Sequence, residues 1–242
     1  TMNTGSDATP SGFSDRLYLS ATQQLDGSAR LLGQFEVASP VAAGAGSPAS
    51  VTLQLPYDLA GSYYFIVVSD YFAQVNRGAP QIATQAVSVQ LGPHADLAVS
   101  NISAPEQTIG DPARVTIGWT VQNTGNGTTQ TSHWVDQIIA SPSTDPNDFR
   151  RVVLASVNHD VPLAAGQSYT VNQSVLLPGG FVGRYHLFVR TDTAGAVFEN
   201  GLTDNNLAEA GNFFDVMAIP YADLVVADFN VPYVISRAGD YA

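Results

Sequence analysis

The chain has 242 residues, of which 45% are apolar, and a formal net charge of −12. Its nine basic residues are all arginine, too few to form the cationic surface that nucleic acid or an anionic membrane requires. The absence of lysine excludes Schiff-base and P-loop chemistry, and the absence of cysteine excludes disulfides and thiolate metal sites. No apolar stretch approaches the roughly 20 residues of a membrane-spanning helix, so we expect no membrane insertion.

The clearest strand of the first 92 residues lies at 61–67 and reads GSYYFIV. Its apolar residues alternate, and the leading glycine lets the chain bend sharply into the strand. Tyr63 stands where a ring can be buried while its hydroxyl returns to a nearby backbone group, as in the tyrosine corner of immunoglobulin-like sandwiches. Tyr71 and Phe72 follow in a loop. They could form a ligand-binding surface or pack against the protein itself, and we favour packing.

Residues 93–219 contain a fuller set of short strands separated by Gly, Pro and Asn. Alternating apolar residues run from Arg114 to Val121 and end at an Asn-Thr-Gly turn signal. Trp119 and Trp134 each fall on an alternating strand, so we expect both in the core rather than on a sugar-binding surface. No stretch shows sustained helical periodicity, so the pattern predicts an all-β sandwich. The predicted strands cover 96–99, 114–121, 134–140, 152–157, 169–177, 183–189 and 212–216.

The two halves of the chain share landmarks in the same order. Ala95-Asp96-Leu97 recurs at Ala222-Asp223-Leu224, and the strand at 61–67 recurs at 183–189, with Tyr185 in the place of Tyr63. These repeats predict tandem immunoglobulin-like domains. Residues 1–92 are a repeat that lacks its first strand or strands, 93–219 are a complete repeat, and 220–242 open a third. This frame implies a piece of a longer protein.

The complete repeat resembles the CARDB domain, the cell-adhesion-related domain found in bacteria. The resemblance is carried by Ala95-Asp96-Leu97, by Asn123-Thr124-Gly125, by the Pro-Leu-Ala-Ala-Gly run at 162–166, and by Val197-Phe198-Glu199 with Asp204-Asn205-Asn206. It implies an immunoglobulin-like fold in tandem arrays on large secreted or cell-surface proteins. The first repeat departs from the pattern, with Val75-Asn76-Arg77 in the place of Val197-Phe198-Glu199.

The acidic and amide residues late in the complete repeat are candidates for a calcium site. Calcium takes six to eight oxygen ligands from carboxylates, amides and carbonyls. The same residue types also cap backbone amides in loops, and this alternative stays open. No cofactor is otherwise required. The candidate ligands are Asp192, Glu199, Asp204, Asn205 and Asn206, with Asp215 more distant.

No residue pattern in the sequence indicates catalysis. The four histidines, His94, His133, His159 and His186, do not pair at helical spacing, and no Gly-x-Ser-x-Gly motif occurs. We therefore expect a non-catalytic structural or adhesive module, a spacer or cell-adhesion unit of an extracellular or cell-surface bacterial protein. The alternative is a polysaccharide-binding accessory module of a secreted hydrolase, which binds through Tyr71 and Phe72.

The expected partners are neighbouring repeats of the same protein and, for an adhesive function, a glycan or protein ligand. Residues 221–242 carry apolar positions of the kind found in the strands that the first repeat lacks. Donated to a second copy of the chain, they would produce head-to-tail self-association. A frayed terminal segment is the alternative.

Overall fold

The computed structural model of the chain describes residues 1–38, 40–75, 79, 81–83, 85–220 and 224–229. Within these residues it contains β-strands and a single short 3-10 helix, which confirms the predicted all-β class. No helix in this part of the chain is long and apolar enough to cross a membrane. Asn76 and Arg77 of the first repeat lie outside the described residues, as do 221–223 and 230–242 of the predicted third repeat.

The strands divide between the two halves of the chain. The first half holds five strands, and the second holds nine strands and the 3-10 helix Asp204–Asn206. The strands are β1 (Phe13–Ser20), β2 (Arg30–Val37), β3 (Gly61–Val68), β4 (Gln81–Ile82), β5 (Val87–Val89), β6 (Leu97–Ser103), β7 (Gln107–Ile109), β8 (Arg114–Asn123), β9 (Trp134–Ser141), β10 (Val152–His159), β11 (Ser168–Leu176), β12 (Gly183–Arg190), β13 (Leu207–Glu209) and β14 (Phe214–Met217).

The second half of the chain is a sandwich of two sheets. One sheet has the order β10-β9-β12-β14-β7 with β13 also on β12, and the other has the order β11-β8-β6. The predicted alternation of β8 is confirmed, because Val115, Ile117, Trp119 and Val121 are all buried. They pack with inward residues of β9 and β12 into one hydrophobic cluster. Burial of this apolar surface is the main stabilising contribution to the domain.

Asn123 fixes the turn that follows β8. Its side-chain Nδ2 donates to the carbonyls of Gly127 and Leu163 at 2.8 and 2.9 Å. Its Oδ1 accepts from the backbone amides of Gly125 and Asp96 at 3.0 and 3.1 Å. One buried amide therefore satisfies four backbone groups and ties the start of β6 to the loop before β11.

The first half of the chain forms one five-stranded sheet, β2-β1-β3-β4 with β5 also on β3. Its pairing follows that of the second half, since β1 lies between β2 and β3 as β9 lies between β10 and β12. A β-bulge interrupts β1–β2 at Leu17/Tyr18, and one interrupts β9–β10 at Val153/Ala155, next to Ile138 and Ile139. Leu17 aligns with Ile138, so the two irregularities occupy the same place.

The two halves differ where the second sheet would lie. Residues 51–55 align with 173–177 at the end of β11, yet they form no strand. β11 is held by β8 along its whole length, and the described part of the first half contains no strand that corresponds to β8. An extended segment without a pairing partner keeps its backbone groups exposed to water.

Two features of the second half were not predicted from the sequence. The last strand, expected at 212–216, is β14 at Phe214–Met217, but the additional short strand β13 was not predicted; the two pair with opposite ends of β12. The three-residue strand β7 was not predicted, and it pairs with β14 in parallel. Residues 211–213 between β13 and β14 have no strand pairing, and a cleft opens beside β12 there.

Candidate functional site

Asp192, the first of the predicted calcium ligands, caps the loop after β12. Its two carboxylate oxygens accept hydrogen bonds from the backbone amides of Ala196 and Val197 at 2.8 and 2.9 Å. Its φ of 44° is a left-handed conformation that Asp tolerates better than most residues. Asp70 does the same in the first half of the chain, with φ 47° and bonds to the amides of Gln74 and Val75.

Glu199 is buried between the 3-10 helix and the start of β6. Its Oε1 accepts from the backbone amide of Leu97 at 2.5 Å, and its Oε2 accepts from Nδ2 of Asn206 at 2.6 Å. Burial raises the pKa of this carboxyl, and the nearby charges of Asp192 and Asp96 raise it further, against the effect of the two hydrogen bonds. The side chain thus fastens the end of the long loop to the first strand of the domain.

The two adjacent amides of the 3-10 helix carry oxygens without partners. Nδ2 of Asn205 donates to Asp96 at 2.8 Å, and Nδ2 of Asn206 donates to Glu199. The Oδ1 atoms of both residues are buried and accept no hydrogen bond from the described part of the chain. Asp204 is exposed at the start of the helix. An unpaired buried amide oxygen costs free energy, so a cation or water near these atoms would stabilise the domain.

The structure therefore brings Glu199, Asn205 and Asn206 together and adds Asp96, which the sequence analysis did not include. Asp96 could have been found from its place in the Ala-Asp-Leu landmark, which starts the domain beside the long loop. Most carboxylate oxygens here already accept N–H bonds, and the described residues contain no group of three or more acidic or histidine side chains arranged for a metal ion. The two amide oxygens are unpaired and open to calcium, whereas the carboxylate of Glu199 would have to exchange an N–H donor for the ion, and calcium binding stays a prediction.

The two predicted tyrosine corners have the expected geometry. The hydroxyl of Tyr185 donates to the carbonyl of Val182, and that of Tyr63 donates to Ala60, both at 3.2 Å. The preceding glycines, Gly183 and Gly61, have φ of 139° and 117°, a region that side-chain-bearing residues rarely adopt.

Trp119 and Trp134 are both buried, as predicted for core residues, and they share a polar network. Nε1 of Trp119 donates to the buried Asp136 at 2.9 Å, and Nε1 of Trp134 donates to the hydroxyl of Tyr169 at 3.0 Å. The hydroxyls of Tyr169 and Thr191 donate to Asp136 at 2.8 and 2.7 Å. No sequence pattern indicates this network, because the donors come from four separate strands or loops. Its polar groups are satisfied within the core, which indicates a structural role.

Tyr71 and Phe72 lie against an arginine of the same chain. The guanidinium carbon of Arg16 is 3.8 Å from the ring centroid of Tyr71 and 4.9 Å from that of Phe72. The two rings meet edge to face at 5.3 Å, and the Phe72 side chain remains largely exposed. Cation–π contacts of this kind stabilise the loop on the face of β1 and agree with the packing role that we favoured.

Comparisons with known proteins bear on the second half of the chain. The family model of CARDB matches residues 94–209. Among solved structures, a CARDB domain from Pyrococcus furiosus in complex with di-metal ions is 17% identical, with a TM-score of 0.38 over 52% of this chain and 96% of that one. Red sea bream transglutaminase is 11% identical, with a TM-score of 0.30 over 91% of this chain and 28% of the enzyme. A search of curated proteins found no match.

The matched segment begins at the Ala-Asp-Leu landmark and ends in β13, so it takes in the Asn123 turn, the Asp136 network and the Glu199 contact. The Asn123 turn and the Glu199 contact belong to the motifs on which the sequence resemblance was based. Residues 94–209 of this chain are a CARDB domain.

Proposed function

We propose that the chain is a non-catalytic structural and adhesive module, part of a tandem array of immunoglobulin-like domains on a secreted or cell-surface bacterial protein. The CARDB family is adhesion-related, which supports the general assignment. The observation that carries the tandem arrangement is the recurrence of the same local hydrogen bonds at aligned positions of the two halves. An array of similar units separates a binding surface from its point of attachment without any need for catalysis.

Three of these recurring features are specific in their geometry. The Asp70 cap has the same two amide bonds as the Asp192 cap, and the tyrosine corners at Tyr63 and Tyr185 have equal hydroxyl–carbonyl distances. Nδ2 of Asn3 donates to the carbonyls of Asp7 and Val41, as Asn123 does to its two carbonyls. Unrelated sandwiches share strand alternation, but they have no reason to share side-chain caps at aligned positions.

The buried acids of the second half support a structural reading over a catalytic one. Asp136, Asp192 and Glu199 each accept hydrogen bonds from neighbouring N–H or O–H groups, and those bonds fix loops and strands. A pair of carboxylates for glycoside hydrolysis would instead face each other across an open site. The carboxylates of Asp136, Asp192 and Glu199 are instead buried inside the fold.

The adhesive function can be tested with beads coated with the full chain. We expect these beads to be retained on a layer of bacterial cells under flow, compared with beads that carry albumin at the same density. A chain with the Asn123→Ala substitution, which removes the bonds at the turn after β8, serves as the destabilised control. Retention no greater than that of albumin-coated beads would contradict the adhesive function.

The alternative, a polysaccharide-binding accessory module that uses Tyr71 and Phe72, is supported by the exposed ring of Phe72. It is opposed by the Arg16 guanidinium, which already covers Tyr71. If the accessory role is correct, the double variant Tyr71→Ala, Phe72→Ala should lose binding in a pull-down with insoluble polysaccharide. If the rings only pack on β1, the variant should lose thermal stability and leave any binding unchanged.

A further inference from the structure

A cleft of about 350 Å³ opens on the outer face of β12 in the CARDB domain. It lies where β13 and β14 pair with the two ends of β12 and the intervening residues 211–213 are not paired with it. His186 lies at its floor with 18% of its side chain exposed, and Arg184 and Asp215 form one wall. The volume is at the small end of the range for sites that hold small ligands. The cleft lies apart from the Asp96–Glu199 contact and from Tyr71 and Phe72.

The polar side chains of the cleft are held in place by one another. Arg184 forms two hydrogen bonds with Asp215, at 2.9 and 2.8 Å, in the bidentate arrangement. Nδ1 of His186 lies 2.6 Å from Oε1 of Glu209. Each group is therefore oriented before a ligand arrives, which lowers the entropy cost of binding.

Three side chains of the cleft, Glu106, Glu209 and Arg184, keep an atom for a ligand. Nδ2 of Asn212 donates to Oε1 of Glu106 at 3.0 Å, so Oε2 of Glu106 remains. Within the described part of the chain, Oε2 of Glu209 and Nη1 of Arg184 also have no hydrogen-bond partner. The cleft thus offers two carboxylate acceptors and a guanidinium donor.

Phe213 adds an apolar surface beside these polar groups. Its side chain is 48% exposed, although it belongs to a residue type that is usually buried. The guanidinium of Arg184 lies 4.8 Å from its centroid, and the ring of His186 meets it edge to face at 5.0 Å. The ring is therefore supported from two sides and held at the rim of the cleft.

We propose that this cleft binds an uncharged sugar residue of a polysaccharide. Sugar hydroxyls both donate and accept hydrogen bonds, so they match a mixture of carboxylate acceptors and a guanidinium donor, while the apolar face of a pyranose ring suits an exposed aromatic. Three carboxylates against one guanidinium disfavour an acidic sugar. An apolar ligand would leave the carboxylates desolvated and unpaired.

The first half of the chain does not have the charged side chains of the cleft at the aligned positions. In β3 and β5 the pair Ser62 and Ser88 has the register that Arg184 and Asp215 have in β12 and β14. Tyr64 stands in the place of His186 in the sequence alignment. The fold alone therefore does not require these charged side chains, and their presence in the CARDB domain points to a function at that surface.

This proposal rests on the proposed adhesive function, because it names the chemical class of the ligand that the module would bind. It is tested with the full chain by isothermal titration calorimetry, using neutral oligosaccharides of glucose, mannose, galactose, xylose and N-acetylglucosamine at up to about 10 mM. We expect at least one to bind, and we expect Phe213→Ala and Glu209→Gln each to weaken that binding about tenfold or more. Phe149→Ala, which removes a ring that is 89% exposed elsewhere in the same domain, should leave binding unchanged.

Three outcomes would overturn the proposal. In the first, no neutral sugar binds. In the second, both cleft variants bind as well as the parent chain and have the same melting temperature. In the third, hexalysine or oligogalacturonate binds more strongly than every neutral sugar. Retention of chain-coated beads on cells despite a negative sugar titration would reject the cleft and keep the adhesive function. If the coated beads are not retained and no sugar binds, both the adhesive function and the cleft proposal are rejected.

Discussion

Tyr185 is half-buried, and its ring stacks on Phe181 with centroids 4.2 Å apart. We expect Tyr185→Ala to lower the free energy of unfolding by about 2–3 kcal/mol, below the range for fully buried aromatics because part of the ring is exposed. Tyr185→Phe should cost about 0.5 kcal/mol, since it removes one neutral hydrogen bond to the backbone. Urea denaturation of the two variants measures both values. Equal stability of all three proteins would reject the tyrosine-corner role.

Asp136 combines burial with three hydrogen-bond donors. Burial raises the pKa of this carboxyl above its ordinary value, although the bonds from Thr191, Trp119 and Tyr169 lower it. The native state therefore holds the proton more tightly than the unfolded chain does. It follows that this group's contribution to stability is present at low pH and is lost as pH rises through the native pKa.

The direction of the Asp136 effect can be tested with one substitution. Thr191→Val keeps the shape of the side chain and removes one donor to the carboxylate, so it should raise the pKa of Asp136 further. Carbon-13 NMR of the aspartate carboxyls against pH measures the change. Thr120→Val, which alters a hydroxyl on the exposed side of β8, is the control. A lowered pKa in Thr191→Val would contradict the assignment of the bond.

Calcium binding near Glu199 gives a third prediction at the residue scale. If calcium uses oxygens of the predicted ligands, which include Glu199 and Asp204, it binds the native state only, and it should add about 2.7 kcal/mol at a concentration 100 times its Kd. Thermal melting with calcium and with a chelator measures the gain. Glu199→Gln with Asp204→Asn should abolish it, whereas Asp160→Asn, an exposed acid of the same domain, should not. A melting temperature that changes with neither calcium nor chelator would contradict calcium binding and support the capping role.

At the scale of strands, the sequence predicted the strands in which apolar and polar residues alternate. β8, β9 and β12 begin at Arg114, Trp134 and Gly183, where the apolar pattern begins, because a half-buried strand must place every second side chain in the core. β7 could not be predicted in this way, since three residues are too few for a pattern. Its partner β14 lies about a hundred residues later in the chain.

The segment at 51–55 shows that pattern alone does not make a strand. Its sequence, VTLQL, alternates as well as that of β11, yet it forms no ladder because the strand that would pair with it is missing from the described residues. The same dependence on distant partners explains the candidate site. The sequence identified Glu199, Asn205 and Asn206 from residue type, but Asp96 joins them only through the fold, across 109 residues from Asn205.

At the scale of the whole molecule, the two halves are unequal in packing. The CARDB domain has sheets on both sides of its core, whereas the first half has one sheet. Residues of the segment 224–229 are strongly apolar and exposed, including Leu224 at 92% and Phe229 at 76%. Exposed apolar surface of this kind favours association with an unpaired edge.

We therefore expect the chain to self-associate head to tail, with residues 221–242 of one copy adding a strand to the first half of another. Light scattering should show a mass that rises with protein concentration for the full chain and stays monomeric for a chain truncated after Pro220. Leu224→Asp with Val226→Asp should behave like the truncation, since the charges oppose burial of the segment. Equal, monomeric masses for the full and truncated chains would reject strand donation and leave a frayed terminal segment.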